Sequence, residues 1–211
     1  MNMTRFTMAC IALACVLGSQ PSRAEDSADR VRKVIASETE FNKLRVAGKK
    51  AAFFCANCHG EDGNSAHNHI PNLAGQNAVY LLNQIEKFAD GRRQDEFMTG
   101  MIKVLKPEDR FNMAIFYSSQ PVRPAASSNP ALVGKGKQLY DAICKSCHGV
   151  QGYGNEKIAR LAGQQPAYVK LSLEQYRKGT KERNDPVMGS VARRLKDADI
   201  AALAAYLPTM K

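Results

Sequence analysis

Apolar residues recur at helical spacing along most of the chain, and the pattern comes round twice. Val79, Leu82 and Ile85 line one face of a stretch from Ala78 to Phe88, and Val169, Leu173 and Tyr176 do the same from Ala167 to Tyr176. Each stretch is followed by a closing helix, expected from about Pro107 to Tyr117 and from about Asp197 to Leu207, with Pro107 and Asp197 in favoured helix-starting positions. A further helix is expected from Lys49 to Cys58 and from Lys137 to Cys147, each leading into a Gly-rich loop, His59-Gly60-Glu61-Asp62-Gly63 and His148-Gly149-Val150-Gln151-Gly152-Tyr153-Gly154. Residues 27 to 47 are charged and helix-compatible, with Val31, Val34, Ile35, Phe41 and Leu44 placed to cap the first half. Strand signals are weak throughout, so the pattern predicts an all-α fold.

The recurrence is an internal duplication. Cys55 to His59 matches Cys144 to His148 at an offset of 89, Ile70-Pro71-Asn72-Leu73-Ala74-Gly75-Gln76 matches Ile158-Ala159-Arg160-Leu161-Ala162-Gly163-Gln164 at 88, and Leu105-Lys106 matches Leu195-Lys196 at 90. Between the copies, residues 118 to 130 have the Pro, Ser and Ala content of an extended connector. At the other end, Arg5, the apolar run from Phe6 to Gly18 and Ser22-Arg23-Ala24 form an export signal, shorter than a bilayer span and cleavable after Ala24. The division expected is therefore a signal over 1–24, a helical extension over 25–47, a first domain over 48–120, a linker over 121–130 and a second domain over 131–211.

Removing the signal removes Cys10 and Cys15 and leaves four cysteines, all inside Cys55-Ala56-Asn57-Cys58-His59 and Cys144-Lys145-Ser146-Cys147-His148. A covalently held haem needs two thiols for thioethers to its vinyl groups and a histidine directly after the second to face the iron; both motifs meet that need. Cys55, Cys58, Cys144 and Cys147 are thus the expected attachment points of two c-type haems, with His59 and His148 as iron ligands. A sixth ligand must come from far along the chain, and methionine is the commonest choice. In the second half Met188 stands in Asn184-Asp185-Pro186-Val187-Met188-Gly189, expected as a loop folded over the haem. In the first, Met98 aligns with Met188 and is preferred over Met101, which aligns with Val191; Met113 falls in the closing helix as a core residue. Zinc fits poorly, because the two Cys pairs stand a whole repeat apart, and a thioredoxin-like pair lacks its βαβ pattern. His67 and His69 have no counterpart in the second half and are expected at the surface, the alternative being that one replaces Met98 on the iron.

These residues resemble the di-haem cytochromes of the cytochrome c4 type, two class I cytochrome c domains in tandem. The resemblance covers about residues 48 to 207 and is carried by the two Cys-x-x-Cys-His-Gly motifs, Pro71-Asn72-Leu73-Ala74-Gly75-Gln76, Leu161-Ala162-Gly163-Gln164, Ser118-Ser119-Gln120, Met98 and Met188. It implies thioethers at Cys55, Cys58, Cys144 and Cys147, with His59 and Met98 on one iron and His148 and Met188 on the other. It also implies a periplasmic shuttle that takes electrons from a quinol–cytochrome c oxidoreductase and feeds a terminal oxidase or reductase. A proline carbonyl usually receives the hydrogen bond of the proximal histidine in such domains; Pro71 is placed for it, whereas the second half has Ala159.

Charge narrows the partners. Residues 25–124 carry 14 Lys and Arg against 13 Asp and Glu, whereas residues 125–211 carry 14 against 7. An exported chain without a nucleic-acid motif points away from nucleic acid and toward an acidic protein partner for the basic half, with peripheral association at a membrane as a further expectation. With both irons six-coordinate no substrate position stays open, which favours a carrier over an enzyme. The competing expectation is the cytochrome subunit of a dehydrogenase of the flavin-dependent sulfide type, or of an oxidase or reductase complex.

Overall fold

A computed structural model describes residues 23–125, 127 and 129–211. The first 22 residues of the expected export signal lie outside that range. The first half contains α1 (Arg23–Ile35), α2 (Glu38–Ala51), α3 (Ala56–His59), α4 (Ala78–Ala89), α5 (Glu96–Lys103) and α6 (Pro107–Ser118). The second contains α7 (Pro130–Leu139), which runs through a π-helical turn at Tyr140–Cys144 into α8 (Lys145–His148), then α9 (Pro166–Lys178), α10 (Pro186–Ala192), α11 (Asp197–Tyr206) and a last 3₁₀ turn at Leu207–Thr209. No strand occurs among the described residues, so the fold is all-α and built from two tandem copies. Among the described residues no helix is long and apolar enough to cross a membrane.

The amphipathic and closing helices stand where the periodicity places them. The helices leading to the cysteines differ: α2 begins at Glu38, eleven residues ahead of Lys49, and α7 begins at Pro130, seven ahead of Lys137. The sequence from 27 to 47 is divided at Ala36 and Ser37, where Ser37 takes an extended backbone and its hydroxyl accepts the backbone N–H of Glu40, opening a new helix. Only α1 is therefore an addition to the repeated unit; α2 is its first helix. α1 sinks Val31 and Val34 into the first core, and Arg30 clamps it there, donating to both carboxylate oxygens of Glu108 at 2.6 and 2.8 Å while lying 3.8 Å over the Phe111 ring.

Each copy is organised around one helix crossing, α2 on α6 and α7 on α11. The first core joins Leu44, Leu81, Leu82, Phe111, Ile115, Phe116 and Tyr117; the second is smaller, around Tyr140, Val169, Leu195, Ile200, Leu203 and Leu207. Domains of this size bury little apolar area, so a large apolar prosthetic group would supply much of what their cores lack.

The copies meet along a pseudo-twofold seam. Gln164 accepts the Asn72 N–H at its Oε1 (2.8 Å) and donates Nε2 to the Asn72 carbonyl (3.0 Å). Gln76 does the same to Arg160, at 2.7 and 3.2 Å. On the axis sits Val122 of the connector, whose two methyls lie where Cβ atoms on Gly75 and Gly163 would come within 2.5 Å. Both glycines also have positive φ, 60° and 73°, which a larger residue would resist. The connector, without regular structure over 121–125, is tied to both copies, Arg123 N–H on Asn64 Oδ1 (2.9 Å) and Ala125 N–H on the Pro208 carbonyl (2.9 Å).

Because Gln164 is buried, Gln164→Ala leaves the Asn72 N–H and C=O without partners at the seam, and the expected cost to interdomain docking is about 1–3 kcal/mol. Calorimetry should then resolve separate unfolding of the two halves where the parent unfolds as a unit. A variant that unfolds like the parent would show that these bonds do not hold the copies together.

Candidate functional site

Each Cys-x-x-Cys-His segment closes in a short turn of helix ending on its histidine. α3 and α8 place His59 and His148 at the same position, and both are 6% exposed. The His59 Nδ1 lies 2.9 Å from the Pro71 carbonyl and the His148 Nδ1 2.8 Å from the Ala159 carbonyl. A carbonyl only accepts, so Nδ1 carries the proton in both rings, and Nε2 presents a lone pair. Burial holds both imidazoles below their ordinary value, against the opposing pull of the carbonyls, which keeps them neutral. Replacing Pro71 by Ala159 costs the second half nothing here, since the backbone oxygen is what the ring uses.

The four thiols are free of disulfides. Burial raises Cys55 above its usual value, and it raises Cys144, with Cys147 adding repulsion, to about 11.

The two methionines occupy equivalent places on short helices, a correction to the loop expected around Met188. Asp95 and Asp185 are N-caps, and each accepts the backbone N–H of the methionine three residues on, Met98 and Met188, at 2.9 Å in both halves. Met101 lies one turn further along α5. The Asp-x-x-Met spacing is visible in the sequence, though it becomes legible only once both helix starts are known. His67 and His69 are exposed, with ring centroids 5.9 Å apart, on a loop whose Asn68 carbonyl accepts the Tyr168 N–H at 3.0 Å from the other half.

Sequence reasoning passed over Arg93 and Arg183, which share the 90-residue offset of the methionines. Arg183 is buried, lies over the Tyr168 and Tyr176 rings and donates to the Tyr168 hydroxyl. Arg93 lies 4.3 Å over the Phe88 ring and reaches the same hydroxyl at 3.5 Å. Among the described residues neither has an ion-pair partner, and the Nε of each is buried without a hydrogen-bond partner, although Arg93 also donates to Gln84 Oε1 at 3.0 Å. Burial lowers both guanidinium pKa values, that of Arg183 to about 9, with Arg93 adding like-charge repulsion. A buried cation beside a half-buried one, each with an unpartnered Nε and neither with an anion among the described residues, is costly, and carboxylates from outside the protein chain would relieve that cost.

The cytochrome c family model matches residues 46–119 and again 133–211. Cytochrome c4 of Pseudomonas aeruginosa is 34% identical over 174 residues, covering 77% of this chain and 86% of its own. The chain belongs to the cytochrome c4 family. The crystal structure of reduced recombinant cytochrome c4 from Pseudomonas stutzeri superposes on this cytochrome with a TM-score of 0.73 at 33% identity, over 78% of this chain and 97% of the other. A thiosulfate dehydrogenase electron acceptor of Stutzerimonas stutzeri is 31% identical, over 74% of this chain and 78% of its own.

The cytochrome accordingly carries two covalently bound haem c groups and works in electron transfer with redox partner proteins. Its residues fit that cofactor twice over: paired thiols, a buried imidazole with a free Nε2, and at the seam unpartnered guanidinium nitrogens suited to propionate carboxylates.

Proposed function

We propose that this cytochrome is a periplasmic shuttle for single electrons, in which Cys55 and Cys58 would hold one haem, Cys144 and Cys147 the other, and His59 with Met98 and His148 with Met188 would ligate the two irons. When bound, haem supplies a reversible one-electron iron couple. The observation that carries the reading is the equivalence of the halves: each sets a neutral imidazole on a backbone carbonyl and pins a methionine three residues after an aspartate cap. Met101 has no counterpart in that arrangement, which favours Met98. The chain's own work is then to exclude water, fix four ligands and tune two potentials. Arg93 and Arg183 would receive the propionates, and their positive charge there favours the reduced state of both centres.

On this reading the donor is a quinol–cytochrome c oxidoreductase and the acceptor a terminal oxidase or reductase. The likeness to a thiosulfate dehydrogenase electron acceptor supports a second source of electrons, a periplasmic dehydrogenase, with the same two centres. The test is the spectrum of the purified protein, oxidised and then reduced, with haem counted per chain. Two haems and a near-infrared sulfur-to-iron band of two-haem intensity are expected. A high-spin haem, or a band of half that intensity, would sink the double His/Met assignment and leave an iron with a position open to a substrate.

A further inference from the structure

The duplication permits a comparison that a single domain does not, because the same surface is built twice with different chemistry. Directly before the first attachment cysteine stand Phe53 and Phe54, 71% and 69% exposed, their rings edge to face with centroids 5.3 Å apart. Neither belongs to the core of its domain. The equivalent residues before Cys144 are Ala142 and Ile143, the latter 38% exposed. The two residues between the cysteines differ in the same sense: Ala56-Asn57 in the first copy, Lys145-Ser146 in the second, with Lys145 exposed. Exposed side chains next to the attachment cysteines would stand close to a covalently bound haem, which makes these positions candidate electron ports in both halves.

Two adjacent exposed phenylalanines outside the core cluster are a liability in an exported protein unless another surface covers them. Their setting is electrically balanced. Phe53 lines a shallow depression with Ala52, Ala56 and Asn57, rimmed by one cation, Lys49, and one anion, Glu61. The whole first half carries 14 basic against 13 acidic residues, whereas the second carries 14 against 7. An acidic partner has nothing to gain at the first port and much at the second, and an uncharged apolar partner the reverse.

Resting on the carrier reading above, we propose that the two ports are specialised for different partners: the Phe53–Phe54 face docks a redox protein whose own port is apolar and uncharged, and the Lys145 face docks an acidic one. Electrons thus enter at one end of the molecule and leave at the other without the partners competing for one surface. Docking at the first port is driven by aromatic burial and insensitive to salt; docking at the second is steered by charge and weakens as ionic strength rises.

The test uses the full holoprotein and a Phe53→Ser/Phe54→Ser variant, mixed in stopped flow with two reduced blue-copper proteins, one with an uncharged apolar port and one with a carboxylate-lined port. With the apolar probe the variant should react about tenfold more slowly, the loss expected from removing one strong contact, and salt should leave the parent's rate unchanged. With the acidic probe the variant should match the parent, and both rates should fall with salt. Equal rates for variant and parent with the apolar probe would overturn the proposal. So would a variant slowed equally with both probes, or one that loses haem or shifts either potential, because the phenylalanines would then be supporting the cofactor. Sedimentation of the parent as a dimer that the variant abolishes, or Phe-dependent co-sedimentation with phosphatidylcholine–phosphatidylglycerol vesicles, would assign the face to a second copy or to a membrane and also overturn it. Failure of the carrier reading looks different: the parent would pass electrons to neither probe.

Discussion

Met188→His is expected to lower the midpoint potential of one haem by on the order of a few tenths of a volt while leaving the other in place. Thioether sulfur favours ferrous iron, and a second imidazole favours ferric iron. The local scaffold tolerates the change, since Asp185 holds residue 188 through its backbone N–H at 2.9 Å and Met188 is only half-buried. A potentiometric titration followed at the α-band should therefore separate into two well-spaced steps, and the near-infrared methionine band should fall by half. Met98→His should do the same to the other centre, and Met101→His should do neither. If Met101→His removes a band and Met98→His does not, the first ligand has been misassigned and the equivalence of the capped methionines carries no weight.

Gly136→Ala should destabilise the second domain by about 3 kcal/mol or more, although alanine is the better helix former. A Cβ on Gly136 would stand 2.1 Å from the Ala202 carbonyl oxygen and 2.6 Å from Tyr206 Cβ, both in α11. The obstacle is backbone, so no rotamer change relieves it, and α7 must lift away from the helix on which the second core is built. Gly48→Ala meets the same difficulty in the first domain, 2.0 Å from the Asn112 carbonyl oxygen. The control lies two residues from Gly136 in the same helix. A Cβ on Gly134 has nothing within 4 Å, so Gly134→Ala should be neutral or stabilising by up to about 1 kcal/mol. Urea unfolding of the three variants checks this; a Gly136→Ala protein as stable as the Gly134→Ala one would mean that the helices do not cross at that glycine in solution.

These two results concern different layers of information. The attachment motif and its histidine could be read from the chain because covalent chemistry fixes residue types and short spacings, and the duplication repeats each of them. The amphipathic and closing helices were legible for a related reason: burial on one face imposes a periodicity that needs no knowledge of the partner surface. Helix starts were less so. Ser37 and Glu40 open α2, but their weak signal is lost in a charged stretch that reads as continuous helix from 27 onward.

What the sequence by itself determined is the doubled unit, its all-helical character and the two Cys-x-x-Cys-His motifs of a cofactor held twice. What only the tertiary structure decided is how the two units face one another. Gln76 and Gln164 reach backbone atoms 84 and 92 residues away, and Arg93 and Arg183 converge on one tyrosine hydroxyl from opposite copies. Contacts of that kind leave no periodicity and no local spacing, because their energy comes from satisfying polar groups that only the packed interface buries.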